Sequence, residues 1–213
     1  MKKKILAIVL CVAMLAIAIV GGTMAYFTDT KSATNTMAVG KVEITQHEVV
    51  SEDPIMPLAD TIGDELNNKV VTIENTGSVD CYFRTLFAFE DGADHTASDW
   101  MHMGSDLDEV KDFKYPGLNI TVDGIEYEVL YAIYPSALEA GKTSENVLHS
   151  LWADAVKHDN AWRESVGDQY NVIVLTQAVQ ADGWAEGTTP EQALNTAFPG
   201  ITDAATVQGW FAP

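Results

Sequence analysis

The first hydrophobic pattern along the chain is a long apolar run behind a basic start. Lysines at positions 2–4 precede 16 apolar residues at positions 5–20, and the small residues Thr23 and Ala25 lie three and one positions before Tyr26. This order of basic, apolar and small residues is typical of a secretory signal peptide. We therefore predict that residues 1–25 are a signal peptide and that cleavage falls between Ala25 and Tyr26.

The alternative is a membrane anchor that is retained. As a helix the apolar run would be about 24 Å long at 1.5 Å per residue, whereas a full bilayer span needs about 20 residues. The run also lacks a basic or aromatic flank on its far side. Cys11 lies inside the run without the small residue that lipid attachment needs before it. Cleavage is favoured over an anchor, and lipid attachment is not expected.

Alternation of apolar and polar residues, which is typical of half-buried strands, begins after residue 40. Residues 41–46 alternate in this way, whereas residues 47–68 are polar, are broken by prolines and are predicted to be a long connection. Residues 70–74 resume strand character and end at an Asn-Thr-Gly turn. The next strand carries three predicted core residues on one face: Phe83, Phe87 and Phe89.

Turn and cap signals define further elements. Asp123-Gly124 lies between two β-like runs and tolerates positive φ at both centres of a type I′ turn, so it predicts a hairpin. The near-continuous apolar run at 171–180 predicts a central strand, and residues 147–152 fit either a strand or the start of a helix. Thr189-Pro190-Glu191-Gln192 is a capping box and predicts a short helix to about Phe198.

These elements amount to about seven strands with short helical additions. They predict an all-β fold with minor helices, an antiparallel β-sandwich whose strands pair at long sequence separation. Removal of residues 1–25 leaves 188 residues without a linker or repeat, which suits one domain, assigned to residues 41–213. Residues 26–40 form a separate N-terminal segment in this assignment.

Charge and cysteine content narrow the function classes. Removal of the signal leaves nine Lys and Arg against 31 Asp and Glu, a formal charge of −22. Such a surface repels nucleic acid and anionic membrane, so neither is predicted as a partner after cleavage. Cys81 is the one cysteine of the processed chain, which excludes an internal disulfide.

Three stretches resemble a known family. The first is Ala25-Tyr26-Phe27-Thr28-Asp29 with residues 31–37 and the strand at 39–44, the second is residues 70–78, and a weaker third is residues 172–180. Together they resemble the TasA and camelysin family, secreted matrix proteins of Gram-positive bacteria that a SipW-type signal peptidase processes. The resemblance implies a jelly-roll-like β-sandwich and, for the best-known member, polymerisation into extracellular fibres by donor-strand exchange.

The resemblance also gives the N-terminal segment a role. Residues 26–36 are rich in Thr, Ser and Asn and become a free end only after cleavage. The residues alone favour a disordered tail. The resemblance implies instead that these residues add as an extended strand to another subunit's sheet, and this is the role that we predict. The predicted polymerisation residues are Tyr26, Phe27, Thr28, Asp29 and Thr30.

Catalytic and metal signals are weak by comparison. His47-Glu48-Val49-Val50 begins like the zincin motif His-Glu-x-x-His, but the fifth residue is Ser51. No catalytic residue and no cofactor is therefore predicted. The acidic segment 90–112 is interpreted as a solvated surface loop, and its spacing misses the EF-hand pattern. A calcium site is the alternative there, through Asp91, Asp94, Asp106 and Asp108.

The leading hypothesis is a secreted structural subunit of extracellular biofilm-matrix fibres that is not an enzyme. Its expected partners are copies of itself, the signal peptidase during export and accessory matrix proteins. Two alternatives stay open: a monomeric secreted or surface-anchored binding protein with calcium dependence, and a camelysin-like metalloprotease. The sequence leaves open which strand edge accepts the donor.

Overall fold

Nine strands and three short helices make up the part of the chain that the computed structural model describes, residues 40–51, 57–58, 68–91, 96–107, 113–154 and 170–212. These residues belong to one compact unit, Gly40–Pro213. The strands are β1 Ile44–Val50, β2 Pro57–Leu58, β3 Lys69–Asn75, β4 Cys81–Glu90, β5 Met101–Gly104, β6 Phe113–Val122, β7 Ile125–Ile133, β8 Ser150–Asp154 and β9 Val172–Gln180. The helices are α1 Ala97–Trp100, α2 Pro190–Ala197 and α3 Ala204–Phe211.

The strands form three sheets. The largest has four antiparallel strands in the order β6-β7-β4-β9, the second pairs β1 with β3, and the third has the order β2-β8-β5. The two-residue pairing of β2 with β8 is parallel, and the other strand pairs are antiparallel. Mostly β content with antiparallel sheets confirms the predicted all-β class.

The sandwich interior lies between the four-stranded sheet and strands β3, β5 and β8. Phe83, Phe87 and Phe89 are buried on one face of β4, which confirms them as core residues. Their rings make specific contacts, since Phe83 stacks on Tyr134 with ring centroids 4.8 Å apart and Phe87 lies 5.7 Å from Phe113. Two-residue alternation along β4 places all three aromatic side chains on this face.

The opposite face of β4 is also buried, and the sequence analysis did not predict this. Leu86 and Ala88 pack with β7 side chains against Val207 and Phe211 of α3. The helix α3 was not predicted, although Asp203 was an available signal because its carboxylate accepts a hydrogen bond from Thr206 N at 2.8 Å. The C-terminal helices therefore add a third layer to the sandwich.

Two local predictions are confirmed in detail. Asp123 and Gly124 have φ of 52° and 85°, and they join β6 to β7 with Val122 opposite Ile125. The Thr189 hydroxyl accepts from Gln192 N at 3.2 Å while Thr189 N donates to Gln192 Oε1 at 3.0 Å, which completes the capping box of α2. Both rest on short-range chemistry that the local sequence specifies.

Two predicted elements need correction, and one open alternative is resolved. The strand expected at 41–46 is β1 at Ile44–Val50, so it continues into the predicted connection. The acidic segment 90–112 contains α1 and β5, and Met101 and Met103 belong to the core, so it is not only a surface loop. Of the strand and the helix left open for residues 147–152, the structure shows a strand, which begins at Ser150 as β8.

The predicted central strand is an edge strand. β9 is the last strand of the four-stranded sheet, and β4 is its neighbour. Its apolar run reflects burial on two faces, because Val172 and Val174 face the sandwich interior while Ile173 and Leu175 pack in the cluster under the C-terminal helices. The apolar pattern of a strand indicates that both of its faces are buried. It does not indicate whether both backbone edges are paired with other strands.

Candidate functional site

The zincin-like start at His47 lies on a strand. His47 and Glu48 are consecutive residues of β1, so their side chains point to opposite faces. His47 Nε2 lies 2.9 Å from Glu74 Oε2 on the neighbouring strand, and Glu48 forms an ion pair with Lys69. Both side chains therefore make cross-strand pairs. In the described ranges, no group of three or more His, Cys, Asp and Glu side chains has a geometry that fits a metal ion.

A Ser-His-Asp arrangement occurs beside β8. His149 Nδ1 lies 2.7 Å from Ser150 Oγ, and His149 Nε2 lies 3.6 Å from Asp106 Oδ1. These three residue types form the triad of many hydrolases. His149 and Ser150 are adjacent in sequence, but Asp106 is distant from both, so no local motif indicates the arrangement. Ser150 is fully buried, however, so its hydroxyl is not presented to a substrate. The arrangement is a structural polar cluster of one hydrogen bond and one ion-pair contact.

The calcium candidates have protein partners where the structure describes them. Asp91 accepts hydrogen bonds from Ala97 N at 2.8 Å and from Asn119 Nδ2 at 2.8 Å. Asp106 accepts from Asn146 Nδ2 at 2.5 Å. Asp94 and Asp108 lie outside the described residues, so the four-carboxylate site stays a prediction.

Asp91 has an unusual environment for a carboxylate. Its pKa is raised from 3.8 to about 6, and burial is the largest cause. The charges of Glu128, Glu126 and Asp99 also raise the pKa, whereas the hydrogen bond from the Ala97 amide lowers it. Glu128 is itself buried and accepts from Ser98 N at 2.6 Å. This cluster fixes α1 at the end of β4 and β7.

The outer backbone edge of β9 is open. Glu90 N donates to Asn171 O at 3.2 Å and Ala181 N donates to Asp80 O at 2.9 Å, so odd-numbered residues of β9 make the hydrogen-bonded pairs with β4. The N–H and C=O groups of even-numbered residues therefore point away from β4. Within the part of the chain that is described, no strand pairs with that side of β9. The outward residues include Val172, Val174, Thr176 and Ala178.

The first strand, β1, has the same property. Ser78 N donates to Lys41 O at 2.9 Å and Ser51 N donates to Asn68 O at 2.8 Å, so odd-numbered residues of β1 bond to β3. Even-numbered residues, including Gln46, direct their backbone groups to the other side. β3 is the one neighbour of β1 among the described strands.

One side chain joins the two open edges. Gln46 Nε2 donates to Val174 O at 3.3 Å, and Gln46 Oε1 accepts from the Thr176 hydroxyl at 2.6 Å. A glutamine amide carries one carbonyl acceptor and N–H donors, as a backbone peptide group does. Gln46 therefore occupies a position where a strand's peptide group would bond to β9.

Apolar side chains on these two strands, and at Val42 just before β1, are only partly covered. Five of them pack against the sandwich core without being fully buried: Val42, Ile44, Val172, Val174 and Ala178. With Gln46 and Thr176, these residues define what we call the β1–β9 seam. It combines unpaired backbone groups with exposed apolar surface, the two features that a strand-binding groove needs.

The opposite edge of the four-stranded sheet is protected. Thr121 N donates to Gln208 Oε1 at 2.7 Å, and Gln208 Nε2 donates to Thr121 O, so α3 satisfies both backbone groups. Pro116 has no N–H, and a register shift between Lys114 and Leu118 bends β6. Proline, bulges and covering helices are the usual protection of sheet edges.

The chain matches a family model described as Camelysin metallo-endopeptidase over residues 1–111, just over half of its length. The chain belongs to the camelysin family. This match confirms the resemblance to the TasA and camelysin family. Comparison with curated proteins and with solved structures gives no significant match.

In this camelysin-family chain, the matched region includes β1, β3, β4 and β5, whereas β9 and the helices α2 and α3 lie beyond it. The cleavage site at Ala25 and Tyr26 and the polymerisation residues Tyr26 to Thr30 lie outside the described residues, and their roles stay predictions. No helix of the described ranges is long and apolar enough to cross a membrane.

Proposed function

We propose that this camelysin-family chain is a secreted structural subunit of extracellular matrix fibres. Residues 26–36 of one subunit add as an extended strand to the sandwich of the next. The observation that carries the proposal is the open backbone edge of β9 beside the open edge of β1 in the described part of the chain. An unpaired edge is an aggregation liability in a monomer and a binding surface in a polymer.

Backbone hydrogen bonds and one aromatic side chain would stabilise the joint. Each backbone hydrogen bond that replaces one to water contributes about 0.5–1.5 kcal/mol net, and burial of a Phe side chain such as Phe27 adds about 1.5–3 kcal/mol. Both act against the ordering of the segment, which costs about 1–2 kcal/mol per residue of backbone. Because the accepting sandwich is already folded, only the donor segment loses conformational entropy on binding.

Electron microscopy of the purified, processed protein tests the proposal. We expect unbranched fibres, with circular dichroism that shows a folded β protein before and after assembly. Its partners would be further copies of the chain, accessory matrix proteins in the fibre and a SipW-type peptidase during export. A folded protein that stays monomeric at high concentration would contradict the proposal and favour a secreted or surface-anchored binding protein.

The family description favours a second candidate, a metallo-endopeptidase. His47, whose sequence context comes nearest to a zincin motif, pairs with Glu74 on a strand, so a zinc site there would need a different ligand geometry. Hydrolysis of casein, measured with and without a chelator, tests this activity. Chelator-sensitive hydrolysis that His47→Ala abolishes would support it, with Lys41→Ala as the matched exposed control on the same side of the molecule.

A further inference from the structure

The two outer edges of the four-stranded sheet differ in what an incoming strand would meet. On β6, Gln208 of α3 already bonds both backbone groups of Thr121, and Pro116 offers no donor. On β9, the one described contact to an outward backbone group between Val172 and Ala178 is Gln46 Nε2 on Val174 O. The β9 edge is therefore available for β-augmentation, and the β6 edge is not.

The hydrogen bond from Gln46 to β9 is long, and other partners can replace it. Its Nε2 lies 3.3 Å from Val174 O and 2.6 Å from Glu48 Oε1, so the amide nitrogen keeps a closer partner when the contact to β9 is lost. The Thr176 hydroxyl also has a second partner, because it lies 3.1 Å from the Thr85 hydroxyl. Displacement of Gln46 from the edge would therefore leave its amide nitrogen and the Thr176 hydroxyl with hydrogen-bond partners.

The length of the chain ahead of the described residues fits the seam. After the predicted cleavage, 14 residues, 26–39, precede Gly40. Residues 26–36 as an extended strand span about 36 Å, and the nine residues of β9 span about 30 Å at 3.3 Å per residue. An extended segment of this length satisfies the outward groups of β9 and covers the partly exposed Val172, Val174 and Ala178.

We infer that the β1–β9 seam is the acceptor for residues 26–36 of a second copy, and that the incoming strand pairs with β9 by displacing the side chain of Gln46. The inference rests on the proposed function and deepens it, because it names the surface that receives the donor. It assigns β9, and not β6, as the edge that accepts the incoming strand. The side chain of Gln46 then occupies this edge until the incoming strand displaces it.

Amide hydrogen exchange read by NMR tests the assignment without fibres. A synthetic peptide of residues 26–36 is added in excess to the processed protein at a dilution at which the protein is monomeric, with the Phe27→Asp peptide as control. We expect the amides of Val174, Thr176 and Ala178 to exchange at least about tenfold more slowly with the first peptide, while Asn119 and Thr121 on β6 do not change. Slower exchange of the β6 amides, or of no amides at all, would overturn the assignment. Slow exchange of the β9 amides at high dilution without peptide would overturn it as well.

Variants test the edge and the side chain of Gln46 separately. Ala178→Pro removes an outward N–H without breaking a bond to β4, and we expect it to reduce peptide binding at least about tenfold. The control Ala178→Val keeps the N–H and should bind the peptide within about threefold of wild type.

Gln46→Ala removes the side chain that occupies the β9 edge and should tighten peptide binding about three- to tenfold. Weaker binding by Gln46→Ala, in protein that circular dichroism shows to be folded, would overturn the displacement step.

These measurements distinguish the acceptor assignment from the proposed function in fibres. Protection of β9 by the peptide in a protein that forms no fibres would sustain the acceptor assignment and contradict the proposed function. Fibres that form equally well from Ala178→Pro would sustain the proposed function and contradict the acceptor assignment.

Discussion

At the scale of single residues, Arg84 joins the four-stranded sheet to the C-terminal helices. It is fully buried on β4, and its guanidinium donates to Gln177 Oε1 at 2.8 Å, Asn195 Oδ1 at 2.7 Å and Phe198 O at 3.0 Å. It also lies 5.4 Å from the centroid of the Trp210 ring. Burial lowers the pKa of Arg84, although neutral acceptors and an aromatic face keep the cation solvated by protein groups.

Replacement of Arg84 by Ala should therefore be costly. It leaves the buried Gln177 amide, the half-buried Asn195 amide and Phe198 O without their donor and opens a cavity. We therefore expect the free energy of unfolding to fall by about 3–5 kcal/mol. Urea unfolding followed by circular dichroism measures this. Lys41→Ala, which removes an exposed ion pair with Glu43, should change the free energy by about 0.5 kcal/mol or less. A loss of similar size in both variants would contradict the tethering role.

Asp91 predicts a specific pH dependence of stability. Its pKa is about 6 in the folded protein against the ordinary value of 3.8, so the folded state holds the extra proton between these pH values. The contribution of Asp91 favours folding below pH 3.8 and is lost as the pH rises through about 6. Asp91→Asn should flatten the fall in unfolding free energy between these limits by about 1 kcal/mol, after allowance for solvent screening.

Asp203 supplies a control of opposite sign. Bonds from Thr206 lower its pKa, so Asp203 stabilises the fold above the ordinary pKa and loses that effect as the pH falls. Asp203→Asn should therefore reduce stability at neutral pH and have little effect in acid. Unfolding curves measured across the acid range compare the two variants, and an unchanged slope for Asp91→Asn would count against the raised pKa.

At the scale of elements, the attachment of β1 to β3 depends on Gly77. Gly77 N donates to Glu43 O at 3.0 Å, and a Cβ on Gly77 would lie 2.3 Å from Lys41 O and 2.8 Å from Glu43 N. Gly77→Ala should loosen β1 and lower the free energy of unfolding by about 1–3 kcal/mol. Gly209→Ala, in α3 with nothing within 4 Å, should stabilise by about 0.5–1 kcal/mol. Equal stability of the two variants in urea would exclude this close contact.

Local chemistry explains which elements the sequence predicts well. The Asp123-Gly124 turn and the Thr189 capping box depend on residues within four positions of each other, and both are observed as expected. The position of β9 at the sheet edge depends on partners about 90 residues away, such as Arg84 opposite Gln177, and no local pattern encodes which edge stays unpaired. The contact between Gln46 and β9 could not be predicted for the same reason, because the two are distant in sequence.

At the scale of the whole molecule, the all-β sandwich follows from the number and alternation of strands, whereas the third layer and the seam require the assembled fold. Pairing of β1 with β3 leaves one edge of β1 open, and burial of β9 on two faces hides its free backbone edge from a hydrophobicity pattern. The proposed function thus depends on a surface that only the tertiary structure reveals.

Processing links the sequence to that surface. Cleavage between Ala25 and Tyr26 is expected because Thr23 and Ala25 are small residues that a signal peptidase admits. N-terminal sequencing of the secreted protein should therefore start at Tyr26. A start several residues away would move the donor segment, and a chain that retains Met1 in the membrane would contradict a freely assembling subunit.

Deletion of Tyr26 to Thr36, with processing kept intact, tests the central claim most directly. Among the residues that the structure describes, Val42 is the first that packs against the core. The truncated protein should therefore fold, with the circular dichroism spectrum of the wild type. Without the donor it should stay monomeric, and electron microscopy should show fibres from the wild type alone. Wild-type fibres from the folded, truncated protein would contradict donation by this segment.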